Sequence, residues 1–432
     1  MFLTDPDPRA EVRGSRDPLG LVPLWSRFGR HLVGNLTTVT TSVRGFTTTL
    51  LGYHFAREAQ DQAGPEVGST LDLFLKFEQL AGYCRHAFAG GADDIRGIER
   101  VKKRLAERSP LFLSASREDQ ILSNQKVYGL WGLYSGPSRA SSLLQAGDNV
   151  LLPAARQFIE EHSLKALDAA GLKGGGTIVA LLRQPRAELH LRGRHARLAQ
   201  TLGDLHSPSY TRLEREFYWK HLVLGGPDDS TRGMQGLLVN LMGKLPDPAA
   251  RFDRADLRAL VKLARQAGDD GERLSERLAH IDHLESVLAP AALAFSFLLS
   301  RNGQRLASVA GDIATAWGRR LSFVDVAAVE GLRAPVGEAF HDPAAGQRWA
   351  QTAAALASGD YQSLLRLLLE HNAAVMQSRS ASAPWATVSG GRLDVRYRDE
   401  RADLRTRDEL PHLWLNPYFL NSLKAVRATL AA

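Results

Sequence analysis

Between Thr37 and Thr49 the chain carries seven threonines threaded through an apolar stripe of helical period. Leu36, Val39, Val43, Phe46, Leu50 and Tyr53 recur at steps of three and four, the spacing that puts side chains on one face of an α-helix. The pattern predicts a helix from about Gly34 to Gln60 with that stripe turned to a core. Threonine is a mediocre helix former, because its branched β-carbon loses rotamer freedom against the preceding turn, so the hydroxyls need a further reason. Three are open. They can bond phosphate oxygens with Arg44 as charge partner, they can bond back to carbonyls one turn earlier, or they can form a buried, small-residue contact with neighbouring helices.

The rest of the chain reads mostly as helix. Residues 1–33 form an arm that packs only from Leu21 to Leu32. Ser69 and Asp72 offer an N-cap for a helix reaching Phe88, with Phe74, Phe77, Ala81, Cys84 and Phe88 as its stripe and Gly90-Gly91 as its stop. From Asp94 to Arg108 an apolar side (Ile95, Ile98, Val101, Leu105) faces a basic one (Arg96, Arg100, Lys103, Arg104) until Ser109-Pro110. Residues 116–164 read as a helix through Trp131, a turn at Ser135-Gly136-Pro137, a short helix from Ser138 to about Gln145, an extended piece at Asn149–Leu152 and a helix from Pro153. That order suits a helix-turn-helix or winged-helix element and equally a plain helical bundle. Beyond Phe252, helices are expected near 253–267, 271–301, 304–318, 345–357 and 360–377, with Pro290 kinking or dividing the second. Leu393, Val395 and Tyr397 alternate with charged residues after Ser389-Gly390-Gly391, which signals a β-hairpin, and a helix from Tyr418 to Leu430 follows.

The expected fold is therefore mainly α: a multi-helical body with a candidate helix-turn-helix or winged-helix element and a small C-terminal β-hairpin. Three regions are expected, 1–170, a glycine- and proline-broken 171–250, and 251–432. Hydrophobic residues at 44% and charged residues at 23% belong to a folded chain rather than a disordered one. One cysteine, Cys84, excludes an internal disulfide framework and suits a reducing compartment. The N-terminus does not read as a secretory signal, and the near-apolar run Val287–Leu299 is shorter than the roughly 20 residues of a membrane span, so a cytoplasmic protein with no membrane contact is expected.

A net charge of +7 favours encounters with polyanions. Two segments concentrate it. Residues 94–108 hold six Lys or Arg against three acids, and residues 183–220 hold eight against four, with His190, His195, His206 and the run Phe217-Tyr218-Trp219 among them. Cations interleaved with rings suit nucleic acid, where phosphates meet charge and bases meet aromatic faces; they also suit a solvated face or an ordinary core edge. The candidate nucleic-acid-binding residues are Arg44, Arg96, Arg100, Lys103, Arg104, Arg139, Arg192, Arg194 and Arg197.

Catalytic signatures are sparse. His280 and His283, three apart beside Asp282 and Glu285, supply two imidazoles without a visible third ligand. Lys173-Gly174-Gly175-Gly176-Thr177 lacks the lysine and hydroxyl pair of a phosphate loop and reads as a helix stop. No catalytic residue, metal or cofactor is expected. Two further segments carry a resemblance: Asp17-Pro18-Leu19-Gly20 with Leu36 to Phe46, and Ser378-Arg379 to Pro384-Trp385 leading into Leu393–Tyr397 and Tyr418-Phe419-Leu420. Together they resemble bacterial proteins encoded beside anti-phage defence and DNA-handling genes. The resemblance implies a subunit that works with other defence proteins, on DNA, and the leading expectation is a non-catalytic nucleic-acid-binding or scaffolding component of a bacterial multiprotein defence system. Two alternatives stand beside it: a protein-interaction subunit docking a partner enzyme through an exposed patch of Leu393, Val395, Tyr397 and Trp414, and a metal-dependent enzyme built on His280 and His283.

Overall fold

The computed structural model describes residues 17–89, 94–247, 250–379, 383–399 and 402–432. Most are helical, with two small antiparallel strand pairs. The chain divides into two compact units, one of residues 1–32, 244–246 and 252–420, the other of 33–243, 247–251 and 421–432. The expected border near 250 falls where the chain passes between them, whereas 170 lies inside the second unit. The expectations for residues 1–16 and for Gly90-Gly91 lie outside the described residues.

In the first unit the centre is the helix Gly268–Leu299, whose side is lined by Leu274, Leu278, Ile281, Val287 and Leu298, all buried. It is long and apolar enough to cross a membrane, but 72% of its most apolar window is buried within the fold. Pro290 lies inside this helix and does not divide it. Burial on both sides of the proline holds the helix together despite the lost amide. The helices Arg254–Ala264, Pro343–Ser358 and Tyr361–Ser378 pack around it, close to their expected bounds. The hairpin pairs Ala386–Ser389 with Arg392–Val395, and its two-residue loop puts Gly390 and Gly391 at φ of 57° and 76°. Such a turn needs positive φ at both central positions, which glycine adopts freely.

Leu393 and Val395 are 2% and 6% exposed, because the hairpin docks on Asn302–Gln304. Leu393 N donates to Gln304 O at 2.8 Å, Gly303 N to Leu393 O at 2.8 Å and Val395 N to Asn302 Oδ1 at 2.8 Å. Trp414 is half-buried between Phe252 and Tyr418. Of the apolar patch expected for a partner, Leu393 and Val395 are thus turned inward, while Tyr397 and Trp414 stay half-buried. Among the described residues His280 has Glu276 at 3.9 Å as its ion-pair partner, while Asp282 accepts from Arg254 and Arg258. Among the described residues no three His, Cys, Asp or Glu side chains assemble into a metal-binding group.

In the second unit the threonine segment is helical only from Val43 to Ala63. The expected start near Gly34 is corrected by the Ser42 hydroxyl, which accepts from Gly45 N and caps the helix there, while the Thr40 hydroxyl donates to Thr37 O in a turn before it. The hydroxyls inside the helix are engaged within the protein. Thr49 donates to Gly45 O at 2.7 Å, Thr47 meets the Tyr218 hydroxyl at 2.8 Å and Thr48 meets His206 Nε2 at 2.9 Å. Back-bonding and buried helix contacts account for Thr47, Thr48 and Thr49, while Thr38 and Thr41 are exposed before the helix. The turn expected at Ser135-Gly136-Pro137 is also absent, since these residues lie inside the helix Leu130–Ala140. Pro137 removes one amide from this helix, and the burial of Tyr134, Pro137 and Ser138 holds the segment helical despite that loss.

This core sets a pH balance. Burial pushes the Glu78 carboxyl up to about 7, against donors from Leu130 N and Gln125. Burial, helped by the charge of Arg85, pushes His206 down to about 3. Glu78 protonates near 7 when folded and near 4.5 when unfolded, so it adds stability as pH falls across that window. His206 protonates near 6.5 when unfolded and near 3 when folded, so it removes stability as pH falls from 6.5 to 3. Each contributes a slope of about 1.4 kcal/mol per pH unit, and the two cancel where the windows overlap. Relative to the unmodified protein, His206→Gln should lose less of its urea midpoint as pH is lowered from 6.5 to 4.5. The same pH dependence in both proteins would show that His206 does not contribute to the acid loss.

Candidate nucleic-acid interface

The basic helix spans Ile98–Glu107, behind Gly97 at φ 77°, where a Cβ would stand 2.3 Å from Ile121 O. Val101 is its one fully buried side chain, so three quarters of its circumference faces solvent or loops. The chain then leaves through Arg108-Ser109-Pro110 into the strand Leu111–Leu113. This strand pairs antiparallel with Ala187–Leu189, Leu111 opposite Leu189 and Leu113 opposite Ala187. Leu111, Leu113, Ala187 and Leu189 are buried, and Phe112 and Glu188 alternate outward. The pairing brings the end of the basic helix beside the segment that opens the arginine-rich stretch.

Where they meet lies a groove of about 590 Å³. Lys102, Leu105, Ala106 and Arg108 line it from the basic helix and its exit, Leu111, Leu189 and Leu191 from the strand pair and the residues just after it, Arg192 from the turn beyond, and His86 and Phe88 from the end of the helix Thr70–Phe88. Its lining among the described residues holds two arginines, a lysine and a histidine and no carboxylate. Lys102 has Glu99 at 3.9 Å, a spacing and exposure at which an ion pair contributes little. Arg108 and Arg192 are exposed, with no carboxylate within 4 Å among the described residues.

Of the nine cations named from the sequence, Arg192 alone lines this groove. Arg44 is 2% exposed, paired with Glu214, and donates to Ser207 O at 2.7 Å and Ser209 O at 2.6 Å, so it is an internal anchor. Burial would raise Glu214, but hydrogen bonds from His162 and Arg44 and the Arg44 charge hold its carboxyl at about 2. Arg96 donates to Val39 O at 3.0 Å and Arg100 to Gln120 O at 3.3 Å. Arg104 binds the carbonyls of Glu118, Asp119 and Gln120 together with the Tyr83 hydroxyl. Lys103 lies in solvent with Glu107 at 3.9 Å, Arg139 is held by Asn149, and Arg194 has Glu188 at 3.7 Å. Arg197 points to Ala170 O at 3.5 Å.

The arginines of the basic helix therefore lace the 118–120 loop to the fold, a use that charge pattern does not distinguish from ligand binding. Phe217, Tyr218 and Trp219 belong to the interior edge: Phe217 stacks on Phe158 at 4.0 Å and Tyr218 is fully buried. Lys102, Arg108, His86 and Phe88 were missed in the sequence. A signal for the first existed, because Lys102, Leu105 and Ala106 share a helix face by steps of three and four. Nothing in the sequence marks Phe88, which shares the period of buried Cys84 yet ends its helix half exposed. Compared with known proteins, the chain matches no family model, no curated protein and no solved structure.

Proposed function

We propose that this protein is a non-catalytic nucleic-acid-binding component of a bacterial multiprotein defence system, acting in the cytoplasm beside other protein subunits. One observation carries the nucleic-acid part: a groove whose lining among the described residues includes the exposed Arg108 and Arg192 and no carboxylate. Guanidinium and ammonium groups in such a setting neutralise phosphates and release their counterions, which drives binding at low salt. The arginine forks add bidentate phosphate geometry. The defence setting is supported by the resemblance of Asp17–Gly20, Leu36–Phe46 and the segments after Ser378. A helix-turn-helix in 116–164 forms no part of the reading, because the turn it needs lies within the helix Leu130–Ala140.

Salt titration of oligonucleotide binding tests it. The unmodified protein should bind at low salt and lose affinity linearly in log-log coordinates. Arg108→Gln with Arg192→Gln should weaken binding and flatten the slope by about 1.5, or about 0.7–0.9 per cation removed. Arg194→Gln with Arg197→Gln removes two exposed arginines outside the groove and should leave both nearly unchanged. Absence of binding at low salt, or an equal loss in the second pair, would overturn the assignment.

A further inference from the structure

We propose that the groove selects a single strand, seating an unpaired base against Phe88 while Lys102, Arg108 and Arg192 hold the flanking phosphates. The inference rests on the nucleic-acid reading above and adds to it the class of strand.

A patch that served duplex backbone alone would need only cations on an open surface, since the bases of a duplex are stacked and turn no ring face outward. This groove has more. Its lining includes Leu111 and Leu189, 3% and 1% exposed, with Leu105 and Leu191 half-buried. A volume of about 590 Å³ is that of a pocket enclosing a small ligand rather than a face receiving a helix. Phe88 and His86 are half-buried in the same lining, each presenting part of a ring to the cavity. Apolar side chains, aromatic rings and cations together match what an unpaired nucleotide offers: a flat π-face joined to a phosphate.

The backbone that carries the ring is also held. Phe88 is the last residue of the helix Thr70–Phe88, where helices usually fray, yet Gly203 on the helix Ala196–Leu205 lies against its Cβ and backbone. A Cβ on Gly203 would stand 2.5 Å from Phe88 Cβ and 3.3 Å from its backbone. Only glycine permits this approach, and the approach fixes the end of the first helix at the groove. A base stacking there meets a ring on a helix end whose backbone is already ordered on folding, which lowers the cost of making the contact.

Four fluorescein-labelled probes of equal length distinguish the outcomes by anisotropy at low salt: an oligothymidine strand, the same backbone made abasic, a duplex, and heparin fragments as a polyanion without bases. The oligothymidine should bind about tenfold more tightly than the abasic strand or the duplex, the usual effect of one stacked base. Phe88→Ala should remove that advantage while leaving abasic and heparin binding as in the unmodified protein, and Phe88→Tyr should retain it. Unchanged heparin binding by Phe88→Ala shows that the variant is folded; should it fail to fold, the Phe88→Tyr result and the abasic comparison in the unmodified protein decide the matter. Equal affinity for oligothymidine, abasic strand and duplex would overturn the single-strand inference and leave the nucleic-acid reading standing. Binding of none of the four would remove both.

Discussion

Arg44→Ala should lower the unfolding free energy by about 3–5 kcal/mol, the cost of leaving a buried charge without its partner. Arg44 and Glu214 are each 2% exposed, and removal of the guanidinium leaves the carboxylate, among the described residues, with the His162 imidazole at 3.5 Å and the Thr211 amide and hydroxyl, and no arginine. The same deletion frees the carbonyls of Ser207 and Ser209 and the face of Tyr210, whose ring lies 4.0 Å from the guanidinium carbon. Urea unfolding at pH 7 measures the loss. The acid limb supplies a check on cause. In the unmodified protein Glu214 is held at about 2 against 4.5 when unfolded, so its contribution is complete above 4.5 and lost as pH falls towards 2. In Arg44→Ala that portion of the acid loss should vanish. Pairing Arg44→Met with Glu214→Leu should recover much of the stability, because an apolar pair has no charge to desolvate. A single-variant loss under 1 kcal/mol would show that water reaches Glu214 and that the pair is not an anchor.

Glu285→Ala should cost on the order of 4 kcal/mol and loosen residues 414–419 in particular. One buried carboxylate accepts from Leu415 N at 2.6 Å, Asn416 N at 3.1 Å, Asn416 Nδ2 at 2.9 Å and the Tyr418 hydroxyl at 2.9 Å. Each buried donor left without an acceptor costs about 1–3 kcal/mol, less where water enters the space left behind. Burial pushes the Glu285 carboxyl up even against these four donors. Trp414 stands 5.2 Å from the Tyr418 ring and 5.4 Å from Phe252, and its emission reports the loop. A red-shifted emission with early proteolysis near 410–419 is expected in the variant. Unchanged emission with full stability would mean that the loop is held by its apolar contacts alone.

Local patterns were legible where a single element decides them. The Ser69–Asp72 capping box, the helices from Arg254 onward and the Gly390-Gly391 hairpin could be read because capping, period and turn chemistry act over a few residues. The start of the threonine helix was misplaced by about eight residues, since Leu36 is buried in a turn that keeps the helical period by coincidence. The strand pair Leu111–Leu113 with Ala187–Leu189 was not seen at all. Three-residue strands carry almost no periodic signal, and their partners are more than 70 residues apart.

From composition and local pattern alone followed a helical, cation-rich chain with charge concentrated near 94–108 and 183–220, because propensity, capping and net charge are sums over neighbours. Which cations face outward was decided only by tertiary structure. Arg44, Arg100 and Arg104 turn to internal acceptors, whereas Arg108 and Arg192 are brought to one groove by a strand pairing. A guanidinium goes to whichever buried carbonyl or carboxylate lies within reach, and what lies within reach is set by contacts distant in sequence.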